Sequence, residues 1–313
     1  MMIVKENVEL ELCVEEKNIL LALVYFDIFH YPLTKTEITD FAPEALSGDI
    51  QYFLRSLQAK GLIFRFDHFY TLHNSVTSIE RRRAGNALAL ERMTQARKFS
   101  KIISSFPFVR GVMLSGSMSK NYMDAKSDID YFIITEKGRL WMVRVALVLF
   151  RRFFLLNSRK YFCTNYFIDS AHLEIEEKNL FTSVEVATLK PMFGKKVISQ
   201  FHLANQWFHI FLPNGKPECC VEEDSPSLFK SMLESVLSRP LFDRLEQWLM
   251  KRSVLHFKKS YRHLLNESDF KIAFQSEEGA SRSHPNFFQK RVLSSYEHKI
   301  AELERSHGIN LSI

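Results

Sequence analysis

Glycine and proline are both scarce in this chain of 313 residues, which contains ten glycines and nine prolines. So few turn-forming residues predict helices joined by short loops, and we find no internal repeat or low-complexity tract. Phenylalanine is abundant by contrast, with 28 residues, so aromatic side chains are expected to fill much of the core. The length is too great for one small core and predicts two or three folded units.

Cysteine is also rare, and the four cysteines form no recognisable metal-binding or disulfide pattern. There is no C-x-x-C pair, and the adjacent Cys219 and Cys220 are poorly placed to bridge each other. The eleven histidines are scattered, without an H-x₃-H pair that suggests zinc. We therefore expect reduced thiols in a cytoplasmic protein, and no zinc site.

Long uncharged apolar runs are absent. The most hydrophobic stretch, 140–156, is interrupted by Arg144, Arg151 and Arg152, and it lacks the roughly 18 apolar residues of a transmembrane helix. A buried helix whose arginines extend towards solvent explains this stretch better than an interfacial membrane helix does. The first residues also lack the hydrophobic core of a secretory signal peptide. We expect a cytoplasmic protein without a membrane span.

Acidic and basic residues are unevenly distributed. Residues 1–80 contain six Lys or Arg and twelve Asp or Glu, a net charge of −6, and the remainder of the chain carries +12. The basic residues are dense in a helix predicted over Ser78–Ser105. The simplest interpretation of this helix is a solvated connection between units, and the alternative is a basic wall beside a phosphate site.

The first 76 residues show a pattern of three helices followed by a hairpin. Apolar residues recur at helical spacing in Glu15–Phe29 and Leu46–Lys60, and a capping-box sequence opens a helix over Lys35–Phe41. Alternating residues over Leu62–Leu72 predict two strands that turn near Asp67. This order resembles a winged-helix domain.

Winged helices often bind DNA through the third helix, which contacts phosphates with lysine and arginine. Here that helix provides only Arg55 and Lys60, beside Glu44 and Asp49, in a unit of net charge −6. We therefore expect this unit to pack against the rest of the chain or against a protein partner.

The rest of the chain predicts a small number of strands among helices. We expect a connecting helix over 77–106, a core of strands and helices over 107–215, and a C-terminal helical region over 216–313. The predicted strands are Val109–Leu114, Ile129–Thr135 and Tyr161–Ile168. The predicted helices are Arg139–Leu156, Ser183–Lys190, Ile198–Phe211, Leu241–Leu264 and Arg291–Arg305, with a polar loop over 276–286. The fold class expected is α+β.

Two aspartates, Asp128 and Asp130, stand one residue apart at the head of the second predicted strand. Residues i and i+2 of a strand point to the same side, with Cα atoms about 6.6 Å apart, so these carboxylates repel unless a cation lies between them. Mg²⁺ suits this position because it takes oxygen ligands and needs only one or two protein carboxylates when phosphates supply the rest.

The first strand is followed by Gly116 and Ser117, which complement the two acids. Glycine lets the backbone approach a ligand closely, serine presents a hydroxyl group, and backbone N–H groups at a helix start bind anions. The turn and the aspartates together predict a triphosphate cradle beside a metal ion.

This arrangement of Gly-Ser, ten residues, and then D-h-D-h, where h is apolar or aromatic, resembles the signature of nucleotidyltransferases related to DNA polymerase β. That superfamily includes antibiotic nucleotidyltransferases and minimal prokaryotic ones, and the resemblance covers about Ser104–Ile168. It implies a small mixed sheet flanked by helices, with Gly116 and Ser117 on the nucleotide phosphates and Asp128 and Asp130 ligating Mg²⁺. It also implies transfer of a nucleoside monophosphate from an NTP, with ATP expected, to a hydroxyl on a nucleic acid, protein or small molecule.

The superfamily normally adds a third carboxylate from a later strand, and this sequence departs from that pattern. The inward polar position of the third strand is Asn165, a nucleotide-binding candidate whose amide lacks the charge that favours Mg²⁺. Asp169 lies four residues further, on the same face by alternation. Three alternatives remain: Asp169 completes the catalytic set, two acids suffice, or catalysis is lost and the chain binds nucleotide, nucleic acid or protein without chemistry.

Two further charged residues are candidates for the site. Lys120, in the loop after the Gly-Ser turn, either meets a phosphate as a point charge or is simply solvated. Glu185 lies downstream of the third strand, but the spacing from Thr182 to Glu185 is that of a capping box, which explains this glutamate without a role in the site.

Overall fold

The computed structural model describes residues 10–219, 227–261, 279–282 and 288–312, and it shows a mixed α+β fold, as expected. The helices are α1 (Val14–Asp27), α2 (Lys35–Phe41), α3 (Ile50–Ala59), α4 (Val76–Ser104), α5 (Gly116–Ser119), α6 (Leu140–Phe154), α7 (Leu180–Thr188), α8 (Lys195–Ala204), α9 (Leu228–Leu237), α10 (Pro240–Tyr261) and α11 (Phe288–His307). The strands are β1 (Leu33–Thr34), β2 (Phe64–Phe66), β3 (Phe69–Thr71), β4 (Val109–Ser115), β5 (Asp130–Thr135), β6 (Cys163–Asp169), β7 (Lys190–Phe193) and β8 (Ala280–Arg282).

The N-terminal region contains the three helices and the hairpin in the predicted order. Strands β2 and β3 pair antiparallel around Asp67, which adopts a positive φ of 58° at the turn. The short strand β1, which the sequence did not predict, pairs with the other side of β3 and gives the order β1-β3-β2. Helix α2 begins after Thr34, whose side chain accepts a hydrogen bond from the Glu37 N–H. The Glu37 carboxylate in turn accepts one from the Thr34 N–H. The predicted capping box is therefore confirmed.

A five-stranded mixed sheet in the order β7-β4-β5-β6-β8 forms the centre of the chain. Strand β4 runs antiparallel to both β5 and β7, β5 runs parallel to β6, and β8 pairs antiparallel with β6. Helix α6 is the crossover that returns the chain from the end of β5 to the start of β6, as a parallel pair requires.

Each face of this sheet has its own hydrophobic cluster. Phe132 and Ile134 of β5 belong to a cluster that includes residues of α1 and α7, whereas Tyr131 and Ile133 belong to one that includes residues of α4 and α6. The N-terminal region therefore shares a core with one face of the sheet. Asp130 alternates with Tyr131, so its side chain is on that same face.

The predicted ends of some elements differ from the structure. Helix α3 begins four residues later than predicted, after the capping residue Asp49, and the 198–211 prediction divides into α8 and a 3₁₀ turn over Gln206–Ile210. Strands β7 and β8 were not predicted. Most of the predicted 276–286 loop, and the end of the predicted 241–264 helix, lie outside the described residues. Among the helices described, none combines the length and the apolar character needed to cross a bilayer.

Candidate functional site

The Gly-Ser turn and the second aspartate meet at one edge of the central sheet. Ser115, the last residue of β4, pairs with Asp130, the first residue of β5. Gly116 follows with a φ of +64°, and a Cβ atom added there would lie 2.9 Å from Asp130 Oδ2. The turn therefore requires glycine both for its left-handed backbone and for the close approach of the carboxylate.

Asn165 is brought against the same carboxylate by an irregularity in β6. The register passes from Tyr131–Thr164 to Phe132–Tyr166, so Asn165 is an extra residue in its strand. Bulges of this kind re-aim a side chain. The Asn165 amide donates to Asp130 Oδ1 at 2.6 Å, and the Cys163 thiol donates to Asn165 Oδ1 at 3.1 Å.

The surroundings of Asp130 favour the protonated, neutral form of its carboxyl group. Burial is the largest cause that raises its pKa, the negative charges of Asp128 and Glu185 add to it, Cys163 and Lys120 oppose it, and the net result is a pKa of about 7. Asp128, two residues earlier, is half-buried and close enough to repel Asp130. Asp130 is thus a buried acid that two neighbouring acids repel.

Lys120 and Glu185 form an ion pair beside the turn. Lys120 Nζ lies 2.8 Å from Glu185 Oε1 and donates to the Gly116 carbonyl at 3.1 Å. The capping box predicted for Thr182 and Glu185 is wrong, because α7 begins one turn earlier. Asn179 is its N-cap, and the Asn179 side chain accepts the Thr182 N–H at 3.1 Å. Glu185 is therefore free to face the site from inside the helix.

Asp169 lies far from the other predicted site residues, contrary to the expectation that it shares their face. It ends β6 opposite Thr135, five residues beyond Asp130 and so roughly 16 Å along the strand. The extra residue at Asn165 reverses the alternation, so Asp169 shares the face of Thr135 rather than that of Asp130. Its buried carboxylate accepts the N–H groups of Ala171 and His172 at 2.9 and 3.0 Å. Asp169 organises a turn.

The loop after the Gly-Ser turn is tied to the N-terminal region and to α4. Tyr31 donates its hydroxyl hydrogen to the Lys120 carbonyl at 2.7 Å. Arg82 of α4 lies 3.6 Å from the Tyr31 ring centroid and donates to the Pro32 carbonyl at 2.6 Å. Gly85 of α4 leaves space for the Tyr122 ring, which a Cβ atom would approach to 2.1 Å. The N-terminal region and α4 therefore both fix this loop.

A cavity of about 1020 Å³ opens beside the turn, at the junction of the sheet with α1, α7 and α11. The predicted residues Gly116, Ser117, Lys120, Asp130 and Asn165 all line it. Of the predicted site residues, all of which the structure describes, Asp128 and Asp169 do not line the cavity.

Sequence reasoning missed most of the cavity wall. Besides Glu185, it includes aromatic residues of α1, α7 and α11, which are far apart in the chain. Helical periodicity marks these residues as buried without indicating a shared cavity. The sequence contained one signal that pointed to Glu185. Asn179, three residues upstream of Thr182, is also a favourable N-cap residue, and a helix that begins there leaves Glu185 outside the capping box.

Two observations limit what can be assigned to the site. Over the described ranges, no group of three or more His, Cys, Asp or Glu side chains is arranged to hold a metal ion. Comparison with protein-family models, with curated proteins and with solved structures gives no match to this chain. The assignment of a function therefore rests on the geometry and on the sequence motif.

Proposed function

We propose that this chain is a Mg²⁺-dependent nucleotidyltransferase that transfers a nucleoside monophosphate from an NTP, with ATP the expected nucleotide, to an acceptor hydroxyl. The observation that carries the proposal is the contact of Gly116 with Asp130 at the mouth of the cavity. A glycine turn and a carboxylate at one sheet edge place phosphate-binding and metal-binding groups around the same space.

The architecture around the site supports the same assignment. An antiparallel strand pair joined by the Gly-Ser turn, followed by a helix and a third strand parallel to the second, agrees with the core implied by the polymerase β resemblance. We also propose that the N-terminal region is a winged-helix domain that positions the acceptor or binds a protein partner. Its Tyr31 hydroxyl reaches the backbone of Lys120, which supports a positioning role.

The residues at this edge fit Mg²⁺. Asp128 and Asp130 offer carboxylate oxygens, the ligands that this ion prefers, and the repulsion that Asp128 and Glu185 exert on Asp130 is what a bound cation would relieve. Asp128 and Asp130 would hold the ion, which when bound supplies electrostatic stabilisation of the triphosphate.

The protein groups have separate tasks in the proposed reaction. Gly116, Ser117 and Lys120 hold the phosphates, and Asn165 fixes the orientation of the Asp130 carboxylate. The acceptor oxygen forms a bond to the α-phosphorus while the bond from that phosphorus to the bridging oxygen breaks, and pyrophosphate leaves. The acceptor proton passes to a base, for which Glu185 is the candidate because its carboxylate lines the cavity.

A second candidate function is nucleotide binding without chemistry. The position where the superfamily places its third carboxylate carries the Asn165 amide, and Asp169 lies at the other end of the sheet. An amide neither strengthens Mg²⁺ binding as a carboxylate does nor accepts a proton. In that case the cavity serves as a nucleotide-responsive binding module.

Incubation with each α-labelled NTP, Mg²⁺ and cell extract tests the two functions. We expect the wild type to label an acceptor, Asp128→Asn and Asp130→Asn to label none, and Asp67→Asn, a matched change at an exposed hairpin position, to behave as the wild type. Equilibrium binding of the same NTPs is measured in parallel. Saturable binding without labelled acceptor supports the binding module, and the absence of both rejects both functions.

A further inference from the structure

Rings from three helices and from the turn that follows α1 form an apolar wall in the cavity, which we call the aromatic lobe (Tyr25, Phe29, Phe181 and Phe288). The ring centroids of Tyr25 and Phe29 lie 5.8 Å apart, those of Phe29 and Phe288 6.2 Å, and those of Phe181 and Phe288 5.8 Å. All four residues line the cavity. These separations are typical of favourable aromatic pairs, so the wall is a packed surface.

A second aromatic surface leads from the acidic edge towards this lobe. The rings of Phe132 and Tyr166 stack at 4.8 Å with planes 12° apart. Phe132 lies two residues after Asp130, and Tyr166 follows Asn165 directly. Both rings line the cavity. Apolar surface therefore begins beside the proposed transfer site.

The cavity is also larger than a single nucleotide needs. Pockets for one drug-sized ligand commonly measure roughly 300–1,000 Å³, and this cavity of about 1020 Å³ is at the upper limit. A nucleobase stacks on one or two rings and is recognised at its polar edge. The lobe offers four further rings, so most of its surface remains for another molecule.

The lobe contains one polar group that a ligand would satisfy. Tyr25 is only 3% exposed and lines the cavity, and its hydroxyl is not among the fully enclosed unpaired side-chain atoms of the described residues, so it is open to the cavity. A tyrosine hydroxyl that is open to a cavity can donate a hydrogen bond to a bound ligand and accept one from it. The Tyr25 hydroxyl lies near enough to Glu185 to feel its charge, so a polar atom bound there lies between the lobe and the acid.

We propose that the aromatic lobe binds the acceptor, and that the acceptor is a small amphipathic molecule: a hydroxyl group on an apolar, aromatic or aliphatic body. The apolar body packs on the rings, and the hydroxyl is held at Tyr25 and directed towards Glu185 and the triphosphate. The identity of the ligand as an acceptor rests on the proposed function, whereas the existence of an apolar binding site does not.

Fluorescence titration with N-phenyl-1-naphthylamine, an uncharged apolar probe, tests the site without nucleotide or Mg²⁺. We expect saturable binding of one probe per chain. Phe288→Ser, at a partly exposed position, should weaken binding by about tenfold because it removes a ring of the wall. Ser294→Trp, at an exposed α11 position on the cavity lining, should abolish binding by filling the space.

Ser306→Trp is the matched control, because Ser306 is an exposed residue on the last turn of the same helix and outside the cavity lining. It should bind the probe as the wild type does. Probe binding that never saturates, or that is equal in the wild type and Ser294→Trp, overturns the proposed site. Thermal unfolding of each variant identifies any that fail to fold.

A transfer assay separates the failure of this proposal from the failure of the proposed function. With α-labelled NTP, Mg²⁺ and an organic-solvent extract of cells, we expect label in the organic phase and inhibition by the probe. If only water-soluble acceptors are labelled and the probe does not inhibit the labelling, the proposed transferase activity is supported and the proposal of an apolar acceptor is rejected. If the probe binds but no label is transferred, the apolar binding site is supported, and both the transferase activity and the acceptor role of the ligand are rejected.

Discussion

Asn165 donates an amide hydrogen to Asp130 at the position where the resemblance implies a third carboxylate. This hydrogen bond fixes the orientation of Asp130 without adding charge. Burial and repulsion already raise the pKa of Asp130 to about 7, so another carboxylate would increase the electrostatic strain in the metal-free protein. The amide is thus compatible with a site that is empty for part of the time.

We therefore expect Asn165→Asp to lower the melting temperature in the absence of divalent ions and to show a larger rise with Mg²⁺ than the wild type. The reason is that a third acid repels Asp128 and Asp130 until a cation neutralises the group. Thermal unfolding with and without Mg²⁺ measures both effects. Asn310→Asp, which adds the same charge at an exposed C-terminal position, is the control. An identical response to Mg²⁺ in Asn165→Asp and wild type would contradict a metal site at this edge.

Asp169 illustrates the opposite role for an acid, because its hydrogen bonds are with its own turn and with the Gly138 N–H in the loop after β5. It accepts the N–H groups of Ala171 and His172, and it is 1% exposed. We expect Asp169→Ala to destabilise the fold by about 1–3 kcal/mol, since it leaves partly buried N–H groups unpaired. Urea unfolding measures this loss.

Nucleotide binding and label transfer should survive in Asp169→Ala below its unfolding transition. Asp130→Asn should show the reverse pattern, with stability retained and nucleotide function lost. If Asp169→Ala abolished transfer in a fully folded protein, Asp169 would have to be returned to the catalytic set.

At the scale of elements, helix α10 is anchored to the start of α6. Glu246 of α10 accepts the N–H groups of Trp141 and Met142 at 2.6 and 2.8 Å. Helix α6 has no side-chain cap of its own on Arg139, so the distant glutamate replaces one. An acid at this position also meets the positive end of the α6 dipole.

Burial of Glu246 raises its pKa in spite of the two backbone hydrogen bonds. A carboxyl whose pKa is higher in the folded than in the unfolded state favours folding most below its unfolded pKa. That contribution is lost as the pH rises through the folded value. We expect the stability of Glu246→Gln relative to the wild type to increase as the pH rises over this window.

Urea unfolding of both proteins across the acid-to-neutral range provides the measurement. Glu302→Gln, at an exposed position of α11, controls for the loss of one charge. A stability difference between Glu246→Gln and the wild type that stays constant with pH would show that Glu246 titrates alike in the folded and unfolded chain.

Elements with a strong local signal were predictable from the sequence, whereas pairings between distant segments were not. The hairpin follows from alternation, strand β5 from its apolar run, and α2 from its capping box. Strand β7 was missed because its first residue, Lys190, was included in the predicted helix Ser183–Lys190, and Pro191, the next residue, is typical of a helix end. In the structure it lies in an edge strand, where a missing N–H is tolerated.

The same distinction applies to the candidate site. The Gly116–Asp130 contact follows from two local motifs on adjacent strands, and Asn165 from its inward position. Asp169 was placed on the wrong face because regular alternation cannot anticipate the extra residue at Asn165. Glu185 was set aside for a capping box that Asn179 provides instead. The aromatic lobe comes from α1, α7 and α11, whose proximity is a property of the folded chain.

For the molecule as a whole, the contrast between an acidic N-terminal region and a basic remainder is expressed as contacts between them. Arg82 of α4 lies 2.7 Å from Glu37, and Lys299 of α11 lies 2.5 Å from Asp27. These pairs accompany the hydrophobic cluster shared by α1 and the sheet. The acidic region thus uses part of its charge to pack on the body of the chain.

This charge distribution bears on whether α3 acts as a DNA-recognition helix. Lys60, the residue that caps the C-terminus of α3, is committed to Glu16 at 2.7 Å, which leaves Arg55 exposed in a region of net charge −6. Phosphate contacts by lysine and arginine dominate non-specific DNA affinity and make it salt-dependent. Any binding of the full chain to duplex DNA should therefore depend on the basic residues that follow residue 80.

Fluorescence anisotropy of a labelled duplex over a range of NaCl concentrations tests this expectation with two matched variants. Arg55→Ala should leave the affinity and its salt dependence unchanged. Arg97→Ala, at an exposed position of the basic helix α4, should weaken any salt-sensitive binding and reduce the salt slope by about one. The reverse result, with Arg55→Ala lowering affinity and slope while Arg97→Ala does neither, would make α3 a DNA-binding helix despite its acidic surroundings. The N-terminal region would then position a nucleic acid rather than the small acceptor inferred for the cavity.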